Sequence, residues 1–245
     1  MKCYWWHYES NFGDMISKPI LEFFTGQEVQ LAGGGDHGKF MAVGSIIETA
    51  RPGDVIWGSG HNRRTLLKLQ EDVKILAVRG PITHSLIASP PAPEVYGDPA
   101  ILLPRLYNPT EEKRYKVSLI PHYVDKKLIK SGHVVRLKNE SIKPNIIDVQ
   151  NDWKTVIKEI KRSELVISSS LHGIIAAEVY GVPAVWARWG DKIVGDGLKY
   201  QDYFLGTGRK EQKPFNQLPP LEDLTAKQDV LLDALGSYIT IKRMD

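Results

Sequence analysis

The stretch ELVISSSLHGIIAAEVYGVPAVW, residues 164–186, constrains the fold more than any other part of the chain. A short apolar run ends in three serines, a longer apolar run follows, and Gly-Val-Pro leads into a third apolar run. Short apolar runs bounded by turn residues are typical of buried strands, and the longer run between them is typical of a helix. The stretch therefore predicts a strand, a helix and a second strand parallel to the first, which is the repeating unit of an α/β sheet.

The same alternation runs through both halves of the chain. A break near residues 105–115, rich in proline and charge, separates the two halves. We therefore predict an α/β fold with two Rossmann-like lobes that face each other across a cleft. The lobes are expected at residues 1–112 and 113–205, and residues 206–245 are expected to form a tail or helix that packs back on the first lobe. Helices are predicted for GDMISKPILEFFTG, FMAVGSIIETA and, with less support, HNRRTLLKLQ.

Composition excludes several classes of protein. The net charge of +3 over 245 residues is too small to indicate nucleic-acid binding by itself, although it permits a local site for an anion. The single cysteine, Cys3, excludes an internal disulfide and a cysteine-based zinc site. The sequence shows neither a signal peptide nor an apolar run of about 18 residues, so a cytoplasmic protein without a membrane span is expected.

His172 is expected at the turn between a buried strand and the helix that follows it. Unpaired backbone N–H groups collect at a helix N-terminus and attract anions. Ser169 and Ser170 can either cap this helix or donate hydrogen bonds to a ligand. The turn therefore predicts an anion site at the carboxyl edge of the second sheet.

Other polar side chains follow other predicted strands, and in parallel sheets ligands bind beyond the carboxyl ends of the strands. Arg79 can bind a carboxylate or phosphate bidentately, or it can form a surface salt bridge. Asp14 can face the cleft or cap a helix. Together these residues predict a cleft for a polyanionic ligand. The remaining candidates are Asn11, Arg63, Arg64, His122, Lys192 and Lys199.

Motifs spread over roughly residues 11–203 resemble, in their order, those of the polysaccharide pyruvyl transferase family. The most specific are SSSLHGIIAAEVYGVPA and, upstream of it, GDPAILLP. The others are NFGD, VGSI, VIWGSG, AVRGP, IPHY and a closing pattern of DK, GDG and KY.

The resemblance implies a GT-B-like arrangement of the lobes and a transferase activity. Family members move the enolpyruvyl-derived unit of phosphoenolpyruvate onto sugar hydroxyls, usually as a cyclic pyruvate ketal. Phosphoenolpyruvate would be the donor substrate, with no metal or other cofactor. The acceptor would be a sugar of a polysaccharide or of its lipid-linked precursor, which would place the protein in the cytoplasm, held peripherally at the inner membrane face.

The resemblance also implies roles for individual residues. His172 and Arg79 would be the catalytic residues, with His172 as the acid/base catalyst and Arg79 bound to the donor carboxylate or phosphate. Lys192 would bind the phosphate, with Lys199 as the alternative, and Ser169 and Ser170 would add hydrogen bonds. The acceptor sugar and the ring size of the ketal are not readable from the sequence.

Two other functions fit the same features. The two-lobed architecture also serves nucleotide-sugar glycosyltransferases, since fold does not fix function. Alternatively, the chain could be a non-catalytic glycan-binding component of a polysaccharide assembly, because six tryptophans and ten tyrosines offer surfaces on which sugars stack.

Overall fold

A computed structural model describes residues 1–129, 134–137, 140–214 and 224–240. It is an α/β fold built on a five-stranded and a four-stranded parallel sheet, with two further two-stranded sheets, which confirms the predicted class. The strands are β1 Lys2–Tyr4, β2 Gln30–Leu31, β3 Phe40–Met41, β4 Val55–Trp57, β5 Leu67–Lys68, β6 Lys74–Ala77, β7 Ile87–Ser89, β8 Ser118–Ile120, β9 Val135–Leu137, β10 Glu140–Ile142, β11 Asn145–Ile146, β12 Val166–Ser168 and β13 Ala184–Trp186. The α-helices are α1 Phe12–Met15, α2 Ser17–Thr25, α3 Pro81–Leu86, α4 Leu103–Leu106, α5 Trp153–Lys161, α6 Leu171–Val179, α7 Leu198–Gly206 and α8 Thr225–Gly236. Three 3₁₀ helices span Ile47–Thr49, Pro99–Leu102 and Tyr123–Leu128.

The first sheet has the spatial order β2-β1-β3-β4-β6, and all its neighbouring strands are parallel. Numbered in chain order within the sheet, this is 2-1-3-4-5, a doubly wound topology whose strand order reverses between β1 and β3. Ligands of such sheets bind at the reversal, beyond the carboxyl ends of the strands. The topology thus directs attention to the segments that follow β1 and β3.

The second sheet has the order β11-β8-β12-β13 and is also parallel. Its strand order reverses between β8 and β12, so the loops after these two strands mark its binding edge. The predicted strand–helix–strand unit is confirmed as β12, α6 and β13. Both central strands are fully buried, which explains their continuous apolar sequence.

One cluster of buried side chains includes residues from both sheets. Val55 and Trp57 of β4 belong to the same cluster as Ile120 of β8, Val166 of β12 and Ile174 of α6. This shared core holds the two binding edges in a fixed relation. The division into lobes at residue 112 and the GT-B-like arrangement stay predictions.

Local sequence explains how several elements begin and end. Helix α2 ends at Gly26, whose positive φ of 69° lets its N–H reach the carbonyl of Glu22. Helix α5 begins at Asp152, whose carboxylate accepts hydrogen bonds from the N–H groups of Lys154 and Thr155.

Two predicted helices are wrong. The stretch FMAVGSIIETA forms β3 and the 3₁₀ turn Ile47–Thr49, since Gly44 with φ of 117° interrupts any helix there. HNRRTLLKLQ forms a loop and the short strand β5.

The predicted C-terminal tail lies partly outside the described residues. Within them, α8 packs against β4 and β6, and the indole N–H of Trp57 donates to the carbonyl of Leu231 at 2.8 Å. None of the helices in the described part of the chain combines the length and apolar composition that crossing a bilayer requires.

Candidate active site

The two binding edges meet in one cavity of about 290 Å³. The first sheet contributes residues after β1 and β3, and the second contributes residues after β8 and β12. Eight of the predicted site residues line this cavity: Asn11, Asp14, Arg63, His122, Ser170, His172, Lys192 and Lys199. Residues that the sequence analysis did not single out also line it, among them Tyr4, Trp6, Ser45, Glu48, Asn62 and Tyr123.

His172 is positioned by the serines before it. Ser170 is the N-cap of α6, and its hydroxyl accepts a hydrogen bond from the N–H of Gly173 at 3.4 Å. The hydroxyl of Ser168 accepts from the N–H of Ser170, and that of Ser169 accepts from the N–H of His122. The serines therefore fix the turn that carries His172, and Ser169 also ties β12 to the neighbouring loop.

A buried carboxylate faces the His172 ring. Nε2 of His172 lies 3.4 Å from Oδ2 of Asp98, and neither atom has a hydrogen-bond partner among the described residues. This distance exceeds the roughly 2.9 Å of a good N–H···O bond, so the contact is mainly electrostatic. The other oxygen of Asp98 accepts from the N–H of Ala100 at 3.0 Å, which holds the carboxylate in place.

The other edge of the imidazole lies over Gly13. A Cβ atom at Gly13 would stand only 1.8 Å from Nδ1 of His172, so a residue with a side chain would displace the ring. Because Nε2 is buried against Asp98, Nδ1 is the ring nitrogen left to reach the cavity.

Asp14 lies beside the same imidazole. Burial raises the pKa of the Asp14 carboxyl, and the nearby His172 and a 2.7 Å hydrogen bond from Asn11 offset part of that rise. The carbonyl oxygen of the Asn11 side chain is buried without a hydrogen-bond partner in the described ranges. The wall thus presents a carboxyl with a raised pKa and an unused acceptor.

Lys199 is the deepest cation of the cavity. Burial and, to a smaller extent, the positive charge of Arg79 lower its pKa to about 8, while the carboxylates of Asp14 and Asp125 act in the opposite direction. Its ammonium group forms neither an ion pair nor a hydrogen bond within the described part of the chain. A half-buried, unpaired ammonium is a ready anion ligand.

His122 is a neutral hydrogen-bond donor. Burial lowers its pKa to about 3, and the charges of Lys199 and His172 act in the same direction. Its Nδ1 accepts a long 3.4 Å hydrogen bond from the N–H of Val124, so the proton of the neutral ring resides on Nε2. Lys192 and Arg63 add two exposed cations to the rim.

Arg79 does not line the cavity. It is 0% exposed, and its guanidinium donates to Asp202 at 3.1 Å, to the hydroxyl of Ser45 at 2.7 Å and to the carbonyl of His61 at 2.6 Å. A direct contact with a ligand would require this network to open. In the structure Arg79 orients Ser45, which does line the cavity, and lowers the pKa of Lys199.

Two other predicted residues also lie off the cavity wall. Arg64 is exposed outside it, and Ser169 is fully buried. Asp98 was not predicted as a site residue although it lies in GDPAILLP. An acidic residue directly before a 3₁₀ helix, inside an otherwise apolar motif, was the available signal.

The arrangement can bind an anion and move a proton. Cations and the N-terminus of α6 suit phosphate or carboxylate, and the paired imidazole suits acid/base chemistry. Among the described residues, no three His, Cys, Asp or Glu side chains converge as a metal site.

Comparison with protein families shows to which family the chain belongs. The family model of polysaccharide pyruvyl transferases matches residues 31–191, about two thirds of the chain. The chain belongs to the polysaccharide pyruvyl transferase family. His172, Asp98 and His122 lie within the matched range. Membership in this family implies a transferase with a polysaccharide acceptor.

Two relatives of the chain are similar over most of its length. An uncharacterized protein of Acanthamoeba polyphaga mimivirus is 32% identical over 82% of the chain and 70% of its own length. The succinoglycan biosynthesis protein ExoV of Rhizobium meliloti is 28% identical over 83% of the chain. The chain spans 64% of the length of ExoV. No solved structure matches the chain.

Proposed function

We propose that the chain transfers the enolpyruvyl-derived unit of phosphoenolpyruvate to two hydroxyls of a sugar, forming a cyclic pyruvate ketal on a polysaccharide or its lipid-linked precursor. The observation that carries this proposal is the cavity in which the His172–Asp98 pair lies with an unpaired lysine, Lys199. Family membership and the similarity to ExoV support the polysaccharide acceptor.

The donor is an anion with a phosphate and a carboxylate. Lys199, Lys192 and the N-terminus of α6 suit the phosphate, because ammonium and backbone N–H groups both stabilise it. The Nε2–H of His122 adds a neutral donor. Arg63 suits the carboxylate from the rim, and Arg79 contributes through Ser45 and its charge.

The reaction begins with a proton transfer. His172 delivers a proton to the methylene carbon of phosphoenolpyruvate, which leaves carbon 2 cationic. One sugar hydroxyl attacks carbon 2 and loses its proton, the bond from carbon 2 to the phosphate oxygen breaks, and the second hydroxyl closes the ring. The products are the ketal and inorganic phosphate, and two hydroxyl protons replace the one consumed and protonate the phosphate.

Asp98 positions the catalyst. Its charge, 3.4 Å from Nε2, favours a proton on that nitrogen and stabilises the imidazolium, so Nδ1 carries the proton to and from the substrates. A carboxylate beside one ring nitrogen biases both the tautomer and the ring orientation.

The size of the cavity favours this donor over a sugar nucleotide. At about 290 Å³ it is slightly smaller than the roughly 300–1,000 Å³ typical of ligand pockets. That volume suits a three-carbon phosphoester better than a nucleoside diphosphate sugar, which also needs a base and ribose site.

The acceptor suggests the cellular setting. We place the protein in the cytoplasm, held peripherally where lipid-linked precursors are assembled, with two Rossmann-like lobes in a GT-B-like arrangement. A non-catalytic glycan-binding role would not require an acid/base pair such as His172 and Asp98.

The test is ketal formation from phosphoenolpyruvate and a glycan panel by His172→Gln, Asp98→Asn and wild-type protein. We expect His172→Gln to reduce the rate by about 10²-fold or more, because it removes the proton carrier. Asp98→Asn should lower kcat with little change in the KM for phosphoenolpyruvate, and should move the pH profile. His37→Gln, an exposed histidine away from the cavity, is the matched control. A His172→Gln rate equal to that of His37→Gln would contradict the mechanism.

A further inference from the structure

The segment after β1 exposes an aromatic cluster at the cavity. Trp6 is 40% exposed and Tyr8 is 69% exposed, and their ring centroids lie 4.8 Å apart in an edge-to-face contact. The ring of His7 stacks on Tyr8 at 4.5 Å. Large exposed aromatic surfaces are uncommon on soluble domains and mark binding sites.

The segment that carries this cluster is tied to the rest of the fold. Trp5 packs against the shared core. Ser10 donates hydrogen bonds to the sulfur of Met15 and to the carbonyl of Gln150 at 3.4 Å, which connects the segment to the chain after β11. Trp6 is therefore presented at a defined place on the cavity wall.

Polar groups also line the cavity. The side-chain oxygen of Asn62 is buried and has no hydrogen-bond partner within the described residues. Glu48 and Thr49 also line the cavity, and the Thr49 hydroxyl donates to the carbonyl of Ile46 at 2.9 Å. A pyranose ring has an apolar C–H face, which suits an indole, and a rim of hydroxyls, which suits such acceptors.

The cavity lining thus combines two chemistries. Lys199, His122 and the α6 N-terminus suit an anion, whereas Trp6 offers an indole face and Glu48 and Asn62 offer oxygen acceptors. A phosphate or carboxylate does not stack on an indole face, and a neutral sugar does not neutralise an ammonium charge.

We infer that Trp6, supported by Tyr8, is the platform on which one sugar ring of the acceptor stacks. The inference rests on the proposed function, since it assigns the second substrate of that reaction to the indole of Trp6. Asn62 accepts a hydrogen bond from a sugar hydroxyl, and the reacting hydroxyls are held toward His172.

The test is oligosaccharide binding without donor, measured by calorimetry. The probes are cellotetraose, maltotetraose and galactotetraose, titrated into wild-type, Trp6→Ala, Trp6→Phe and Tyr238→Ala protein. Tyr238 is a matched control, because it is an exposed aromatic residue outside the cavity lining. We expect at least one probe to bind, Trp6→Ala to weaken it about tenfold, and Trp6→Phe and Tyr238→Ala to bind nearly as wild type. Phosphoenolpyruvate affinity should be the same in all four proteins.

Two calorimetric outcomes would overturn the inference: no probe binding to wild-type protein, or equal probe binding by wild type and Trp6→Ala. A third would be a Trp6→Ala protein that loses binding to vesicles of anionic lipid but keeps its affinity for the oligosaccharides. Glycan binding that depends on Trp6 without any ketal formation would instead contradict the proposed reaction and leave the platform standing. Ketal formation by Trp6→Ala with an unchanged KM for the acceptor would support the proposed reaction and contradict the role of Trp6.

Discussion

Lys199 and His122 lie close together in the cavity, and burial acts on both in the same direction. It lowers the pKa of Lys199 to about 8 and that of His122 to about 3, while it raises the pKa of the Asp14 carboxyl. Burial thus disfavours the charged form of each group. A bound anion favours protonation of Lys199, because an opposite charge nearby stabilises the ammonium form.

The affinity for phosphoenolpyruvate should therefore fall as pH rises through the pKa of Lys199. Below about pH 8 the ammonium is charged, and one pH unit above it about one molecule in ten is charged. The phosphate, with a second pKa near 6, is fully ionised across this window. We expect the Kd measured by calorimetry to weaken by up to about tenfold between about pH 7.5 and about pH 9.

Lys199→Arg separates this effect from other titrations. Arginine stays charged throughout the window, so the variant should lose the pH dependence. Lys192→Arg, at the exposed rim, should keep it. The same pH dependence in Lys199→Arg as in wild type would show that another group titrates.

At the scale of elements, helix α1 and helix α6 meet at a glycine. The absence of a side chain at Gly13 lets the imidazole of His172 lie against the start of α1, where Asn11 and Asp14 complete the wall. The cavity floor is thus built by the approach of two helices from different halves of the chain.

Gly13→Ala should displace His172 without unfolding the protein. The added Cβ would lie 1.8 Å from Nδ1, so the ring must rotate away from Asp98. We expect a fall in ketal formation of about 10²-fold and a changed nitrogen NMR shift for His172. Gly35→Ala is the matched control, because a Cβ there meets no atom within 4 Å. Equal rates and equal His172 spectra in the two variants would contradict this role of Gly13.

The sequence predicted the elements whose patterns are long or bounded by clear signals. The unit β12–α6–β13 and the end of α2 at Gly26 follow from apolar runs and turn residues. The region from β3 to β5 did not follow, since strands of two residues are too short to show an alternating pattern. An apolar run such as FMAVGSII fits a helix equally well until the φ of Gly44 is known.

The site was predictable in its location and only partly in its contacts. Polar residues after successive strands converge because parallel strands end at one edge, so His172, His122 and Lys199 could be grouped from sequence. Arg79 is paired with Asp202, which lies on helix α7, far away in the sequence. Such a contact depends on tertiary packing and cannot be predicted from a local sequence pattern. The pairing of Asp98 with His172 is likewise a long-range contact.

At the scale of the whole molecule, each sheet contributes its point of strand reversal to one cavity. The loops after β1 and β3 line the same cavity as those after β8 and β12, and the shared core holds the two sets of loops together. The cavity lining combines cations with aromatic and polar side chains. A reaction that joins an anionic donor to a neutral sugar can use both kinds of group.

The most direct test of this account is incubation of the wild-type protein with carbon-13-labelled phosphoenolpyruvate and a panel of oligosaccharides, followed by mass spectrometry. We predict a glycan product heavier by one labelled pyruvate less one water, together with released phosphate, and formation of this product at least about 10²-fold more slowly by the His172→Gln protein. A parallel incubation replaces phosphoenolpyruvate with nucleotide sugars. If phosphoenolpyruvate is not consumed with any oligosaccharide while a sugar is transferred from a nucleotide sugar, the proposed reaction is contradicted.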